Sequence, residues 1–181
     1  MTWKSLIETD ERLSTGLRLP PTRRALFACY SFLAHSGDSW YWLAILAVIW
    51  LFDRSAWRTR SAVMMIGIVA LAVAVLAIKF TIRRQRPEGD WGAIYRSTDP
   101  HSFPSGHAAR AAMLAVVALG LGPAWFGILL LLWVPLVSLA RVVMGVHYLS
   151  DVVAGVIVGI AAGGVILLVQ PLMVSLLPFL F

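Results

Sequence analysis

Seventeen consecutive residues between Ser61 and Lys79 carry no charged, amide or hydroxyl side chain. Such a run approaches the roughly 20 apolar residues with which a helix crosses the hydrocarbon core of a bilayer. Comparable apolar stretches recur over 25–52, 107–121, 124–141 and 148–169. The chain as a whole is 60% hydrophobic and 13% charged, with a mean hydropathy of +0.82. Soluble domains run at about half apolar and about a quarter charged, so too little polar surface is present to coat a globule in water. The 181 residues suffice for one domain. The expected fold is all-α: a polytopic membrane protein of six transmembrane helices in a core bundle, residues 1–181 forming one membrane-embedded domain.

Within 1–24, Trp3, Leu6, Ile7 and Leu13 fall near one helical face, which suggests an N-terminal interfacial helix. Pro20 and Pro21 break it. The run 25–52 is too long for one untilted span, and its polar middle, H-S-G-D-S-W at 35–40, reads as a tight loop between two helices. A single long kinked helix is the other reading. Trp40, Tyr41 and Trp42 resemble an interfacial aromatic belt. Residues 53–61 read as a basic loop and 62–80 as the third span. A polar loop over about 81–103, with Pro87, Gly89, Gly92 and Pro100, precedes spans starting after His107, at 124 and at 148. The tail, broken by Pro171 and Pro178, is expected along the interface. G-x-x-x-G-x-x-x-G at 155–163 favours close helix packing within the chain.

Six spans place both termini on one side, with Arg23, Arg24, Arg54, Arg58 and Arg60. The positive-inside rule makes that side cytoplasmic, and the loops at 35–40, 81–107 and 142–148 then face the periplasm or exterior of a bacterial inner membrane. The net charge is +6, with the basic residues either flanking membrane segments or gathered in the central stretch. No basic run with interleaved aromatics reads as a nucleic-acid surface. Cys29 is the only cysteine; it is expected as a small buried packing residue, and neither a disulfide nor a thiolate metal cluster is available within the chain. The N-terminus lacks the pattern of a removable signal peptide.

Three polar clusters interrupt this apolar chain: K-F-T-I-R-R-Q-R-P at 79–87, F-P-S-G-H at 103–107 and R-V-V-M-G-V-H-Y-L-S-D at 141–151. Charge in such a setting is costly and usually retained for function. If the helix continues past Lys79, then Arg83 at i+4 and Arg86 at i+7 share its face, and guanidinium groups grip phosphate oxygens in pairs. Pro104-Ser105-Gly106-His107 opens a helix whose unpaired N–H groups form an anion site, with the Ser105 hydroxyl as a further donor. His147 and Asp151 are four apart; a carboxylate on one ring nitrogen fixes the tautomer and leaves the other free as a nucleophile. Arg141 reaches in from the preceding span. Converged, these clusters describe a pocket that hydrolyses a phosphate ester. A metal site built from His101, His107, His147 and Asp151 is disfavoured, because Lys79, Arg86 and Arg141 would repel the cation and can themselves neutralise phosphoryl charge. Arg110 is either a contact to a second phosphate or headgroup, or a side chain snorkelling to the interface. A transporter of anionic substrates is the reading from a different class; it calls for inverted-repeat symmetry, which the sequence lacks.

K-x6-R-P, P-S-G-H and R-x5-H-x3-D, in this order over 79–151, resemble the three signature motifs of the type 2 phosphatidic acid phosphatase superfamily. Its bacterial members include undecaprenyl-diphosphate and phosphatidylglycerophosphate phosphatases. The resemblance implies hydrolysis of a lipid phosphate or diphosphate without metal or cofactor, the lipid's tail staying in the bilayer. It implies that His147 attacks phosphorus to form a phosphohistidine, that Asp151 orients His147, and that His107 protonates the leaving oxygen and then activates water. Lys79, Arg86, Ser105, Gly106 and Arg141 are implied to hold the phosphoryl oxygens. Transfer to another lipid or sugar in place of water is open on the same scaffold. The family often has Ser before the third-motif Arg; Ala140 stands there, so one hydrogen bond to phosphate is missing.

Overall fold

The computed structural model describes residues 3–20, 22–88 and 99–181, with Trp3 and Lys4 by backbone alone. Pro21, Gly89, Gly92 and the Trp3 side chain lie outside the described residues. The described residues form seven α-helices, α1 (Trp3–Gly16), α2 (Arg24–Ser36), α3 (Ser39–Phe52), α4 (Ala56–Ile82), α5 (Gly106–Leu121), α6 (Ala124–Val143) and α7 (Leu149–Leu176), then a 3₁₀ turn at Pro178–Leu180. Among them α4, α6 and α7 are long and apolar enough to cross a membrane, while α3 and α5 are shorter apolar helices.

α5 is the axis of the bundle. Its sequence, G-H-A-A-R-A-A-M-L-A-V-V-A-L-G-L, is rich in alanine, and ten of its residues are buried. Small side chains let α4, α6 and α7 close around it. The glycine stripe of α7 faces the same helix: a Cβ at Gly155 would lie 2.5 Å from the Ser105 carbonyl oxygen, and one at Gly159 would lie 2.1 Å from that of Ala109. The stripe is thus an internal seam, as its spacing suggests.

The stretch 25–52 is not the hairpin read from its polar middle. α2 packs on the C-terminal part of α6, where Phe27, Tyr30, Leu33 and Ala34 meet Ala140, Met144 and Val146. α3 instead packs along α4. The ends fix the direction. The Leu19 N–H donates to the Val143 carbonyl at the head of the bundle, whereas Trp50 Nε1 donates to the Leu180 carbonyl at its foot. α2 and α3 therefore run in series, broken at Gly37-Asp38, and residues 3–20 share the head with Lys79 and His147. Residues 3–20 and residue 180 thus stand at opposite ends of the bundle rather than at one end as expected, and the six expected spans are not confirmed. The break stays inside the bundle because its polar groups find partners there: the Gly37 carbonyl accepts from Arg110, and the Ser36 carbonyl and hydroxyl accept from Trp42 and Trp133.

Other boundaries moved for local reasons. α4 begins at Ala56, not near 62, because Ser55 caps it: its hydroxyl accepts from the Trp57 N–H at 3.3 Å. Arg58 and Arg60 thus belong to the first turns of the helix, not to a loop. At the other end Arg83 adopts a left-handed conformation (φ 54°), and its Nε donates to the Phe80 carbonyl at 2.9 Å. The helix stops four residues before Arg86. Pro171 does not end α7; a proline removes one ladder bond, and the apolar residues on both sides keep the helix running. Cys29 is exposed rather than buried, on the face of α2 turned away from α6.

Candidate active site

At the head of the bundle lies a cavity of about 200 Å³. Ile68, Leu71, Ala72, Val75 and Leu76 of α4 form an apolar wall, and Lys79, Arg86, Gly106, His107, Arg110, Arg141 and His147 form the polar end. Seven of the ten residues singled out from sequence therefore line one space. Ser105 and Asp151 lie directly behind it, fully buried. Arg83 is the exception: exposed at the helix end, it is turned to its own backbone.

His147 is brought in by a turn that only glycine takes easily. Gly145 sits at φ 69°, and the N–H groups of Val146 and His147 both donate to the Arg141 carbonyl at 3.2 Å. The imidazole is 1% exposed. Arg86 Nη1 lies 3.2 Å from its Nε2, and Asp151 Oδ2 lies 3.5 Å from its Nδ1. A guanidinium can only donate, so Nε2 is the acceptor and Nδ1 carries the proton facing the carboxylate. Burial, then the charges of Arg86, Arg141 and Lys79, push the imidazole well below its ordinary value of 6.5. It is neutral at pH 7, with a lone pair directed at the cations.

Those cations already hold an anion. The Asp99 carboxylate bridges Lys79 Nζ and Arg86 Nη2, the latter at 2.8 Å. Arg86 also donates to the Asp99 and Val146 carbonyls, at 2.7 and 2.9 Å, which fixes its plane. Opposite, Ser105 caps α5 without a side-chain cap bond, and its buried hydroxyl has no hydrogen-bond partner among the described residues. A donor left unpaired beside a cavity is available to a ligand.

His107 forms a second His–Asp pair. Its Nε2 is 2.6 Å from Asp38 Oδ1, and His35 Nδ1 is 3.1 Å from the other oxygen of the same carboxylate. Arg110 neither snorkels nor faces solvent; it is buried and donates to the Gly37 carbonyl while lining the cavity.

Asp10, Asp38, Arg84 and Asp99 were not found by sequence reasoning. Asp38 carried a readable signal, since it is a carboxylate in the middle of an apolar run. Asp10 and Arg84 meet across 74 residues, and no local pattern marks such a pair. His101 contributes its carbonyl to Lys79 and its ring edge to Phe80. Among the described residues no three His, Cys, Asp or Glu side chains cluster as a metal site.

Comparison with known proteins agrees with this geometry. The family model described as the PAP2 superfamily matches residues 60–173. The chain is 38% identical over 152 residues to the decaprenylphosphoryl-5-phosphoribose phosphatase of Mycobacterium tuberculosis, covering 80% of each protein. It is 33% identical over 132 residues to the undecaprenyl-diphosphatase of Sulfolobus acidocaldarius, covering 71% of this chain and 63% of that protein. In fold it is similar to the transmembrane PAP2-type phosphatidylglycerolphosphate phosphatase of Bacillus subtilis, with a TM-score of 0.72 at 23% identity, covering 90% of this chain and 84% of the other. It is also similar to Aquifex aeolicus LpxE, with a TM-score of 0.66 at 24% identity, covering 87% and 92%. The matched segment runs from the first turns of α4 almost to the end of α7 and so contains all three motif clusters. On that extent of agreement the chain belongs to the PAP2 superfamily of lipid phosphatases.

Proposed function

We propose that this integral membrane lipid phosphatase acts on a polyprenyl-linked phosphate or diphosphate through a phosphohistidine on His147. The observation that carries the reading is the unprotonated Nε2 of His147 beside Arg86, at the polar end of an apolar-walled cavity. Lys79, Arg86 and Arg141 take the phosphoryl oxygens, and Ser105 and the N-terminus of α5 add donors. Nε2 attacks phosphorus, and a P–N bond forms as the P–O bond to the leaving group breaks. His107 passes its proton to the departing oxygen, while the Asp38 carboxylate holds that imidazolium in place. His107 then takes a proton from water, which attacks the phosphohistidine and releases inorganic phosphate. The two curated relatives above carry polyprenyl substrates in their names, which supports this class over glycerophospholipid phosphates.

The topology belongs to the same proposal. α2–α3 cross the membrane once as a broken helix and α4, α5, α6 and α7 once each, while α1 lies in the interface with Leu6, Ile7 and Leu13 exposed. Arg54, Arg58 and Arg60 flank the end opposite the cavity, where they serve no catalytic group. That supports a cytoplasmic foot and a catalytic head facing the periplasm or exterior.

Phosphate release from detergent-solubilised lipids tests the function. Turnover is expected on polyprenyl diphosphate or polyprenylphosphoryl-sugar phosphate, and less on phosphatidic acid and phosphatidylglycerophosphate; inactivity on all four would overturn it. Asp38→Asn separates the roles. Its kcat on a lipid phosphate, whose alkoxide must be protonated, is expected to fall about 100-fold. On p-nitrophenyl phosphate, whose leaving group needs no acid, it should change little; equal losses on both would remove Asp38 from proton transfer. Asp99→Asn takes a competing carboxylate from the anion site. Its KM for the lipid should fall about threefold or more, whereas a rise would make Asp99 an organiser of Lys79 and Arg86.

A further inference from the structure

We propose that Arg84, held by Asp10 of the N-terminal helix, is a positioning residue that sets the protonation and orientation of the His147–Asp151 pair. The inference rests on the reading of His147 as nucleophile. It concerns two residues outside the three motifs' named positions, one of which lies before the segment matched by the family model.

The geometry is a closed network. Asp151 is fully buried. Its Oδ2 accepts from the Tyr148 N–H at 2.9 Å and faces His147; its Oδ1 accepts from Arg84 Nη1 at 2.8 Å. Arg84 Nη1 also donates to Ser150 Oγ at 2.6 Å, and Nη2 donates to Asp10 Oδ2 at 2.7 Å. The guanidinium lies 4.1 Å over the Tyr148 ring, which leaves it little freedom to rotate away. Asp10 closes the circuit: its Oδ1 accepts from the Ser150 N–H at 3.0 Å and its Oδ2 accepts from Ser150 Oγ at 2.5 Å. Ser14, one helical turn on, accepts from the Leu149 N–H at 2.9 Å. α1 therefore caps the first turn of the helix that carries Asp151, supplying from another element the acceptors that Leu149 and Ser150 need.

The charges explain why this matters for the chemistry. A buried carboxylate beside an imidazole draws a proton onto it, and a protonated His147 has no lone pair for phosphorus. Arg86, Arg141 and Lys79 oppose this from the cavity side of His147. On the other side, among the described residues, Arg84 meets Asp151 with positive charge, and Asp10 in turn partly neutralises Arg84. Arg84 lets the Asp151 carboxylate face Nδ1, 3.5 Å away, without making His147 basic. Asp10 tempers that effect and fixes the guanidinium.

Opposite charge changes must then move the pH profile in opposite directions, which a purely structural role does not do. Arg84→Gln should lower kcat about 100-fold with KM nearly unchanged. It should shift the acid limb of kcat/KM up by about one pH unit, because Asp151 is left uncompensated. Asp10→Asn should shift that limb down by a smaller amount and lower kcat only severalfold, and Arg84→Lys should restore the limb. The substrate's own ionisation is common to every variant and cancels in the comparison. Wild-type kcat and acid limb in folded Arg84→Gln, with only the melting temperature reduced, would overturn the proposal. If Arg84→Gln does not fold, an acid limb in Asp10→Asn that stays in place or moves up overturns it instead. Full turnover by His147→Ala would sink the underlying reading of the nucleophile, a result distinguishable from either.

Discussion

His147→Ala is expected to fold and to lose phosphate release by about five orders of magnitude, as removal of a covalent nucleophile does when no neighbour can replace it. The other imidazoles are engaged elsewhere: His107 and His35 with Asp38, and His101 with Phe80. The loss should lie in kcat. Lys79, Arg86 and Arg141 are untouched by the change, so lipid phosphate should still bind and protect the variant against thermal unfolding. Alkaline quench of the wild type during turnover should trap phosphate on a base-stable, acid-labile bond that the variant does not form. Turnover within tenfold of wild type would dismiss His147 and transfer attention to water activated by His107.

Gly159→Val should have the largest effect on stability. The first atom of any side chain there falls 2.1 Å from the Ala109 carbonyl oxygen, well inside contact distance. That oxygen belongs to the backbone of α5, so no rotamer change relieves the overlap and α5 and α7 must separate. Overpacking of a tight core costs about 1–3 kcal/mol when side chains can shift, and more is expected where only backbone can move. Because α5 carries Ser105, Gly106 and His107 while α7 carries Asp151, the surviving folded fraction should also lose activity. Gly164→Val on the same helix meets nothing within 4 Å and should be neutral; parity between the two variants in a detergent melting series would contradict the seam.

Composition and three spaced clusters made the apolar bundle and most of the cavity readable. Lys79, Arg86, Gly106, His107, Arg141 and His147 are each tied to a helix end or a tight turn, and such ends are marked locally by Pro, Gly and Ser. What stayed hidden depended on which helix lay beside which. The break at Gly37-Asp38 looks like a loop because polarity and a glycine usually mean water; here Arg110, Trp42 and Trp133 take that role. Arg83 and Arg84 are neighbours of one type, and only the left-handed turn at Arg83 decides that the first faces outward and the second reaches Asp151. The exposure of Cys29 follows from the placement of α2 at the bundle's edge, which its own sequence does not announce.

The cavity below the cations has room for only a short piece of hydrocarbon: about 200 Å³, under the roughly 300–1,000 Å³ of sites that engulf a whole ligand. Most of a lipid substrate's tail must therefore remain dissolved among the acyl chains before, during and after reaction. Its contribution is that of a tether. It confines the phosphate to a thin two-dimensional layer at the depth of His147 and so raises the local concentration without adding contacts. Discrimination between lipids then falls to the few atoms nearest phosphorus, and the far end of the tail passes unread.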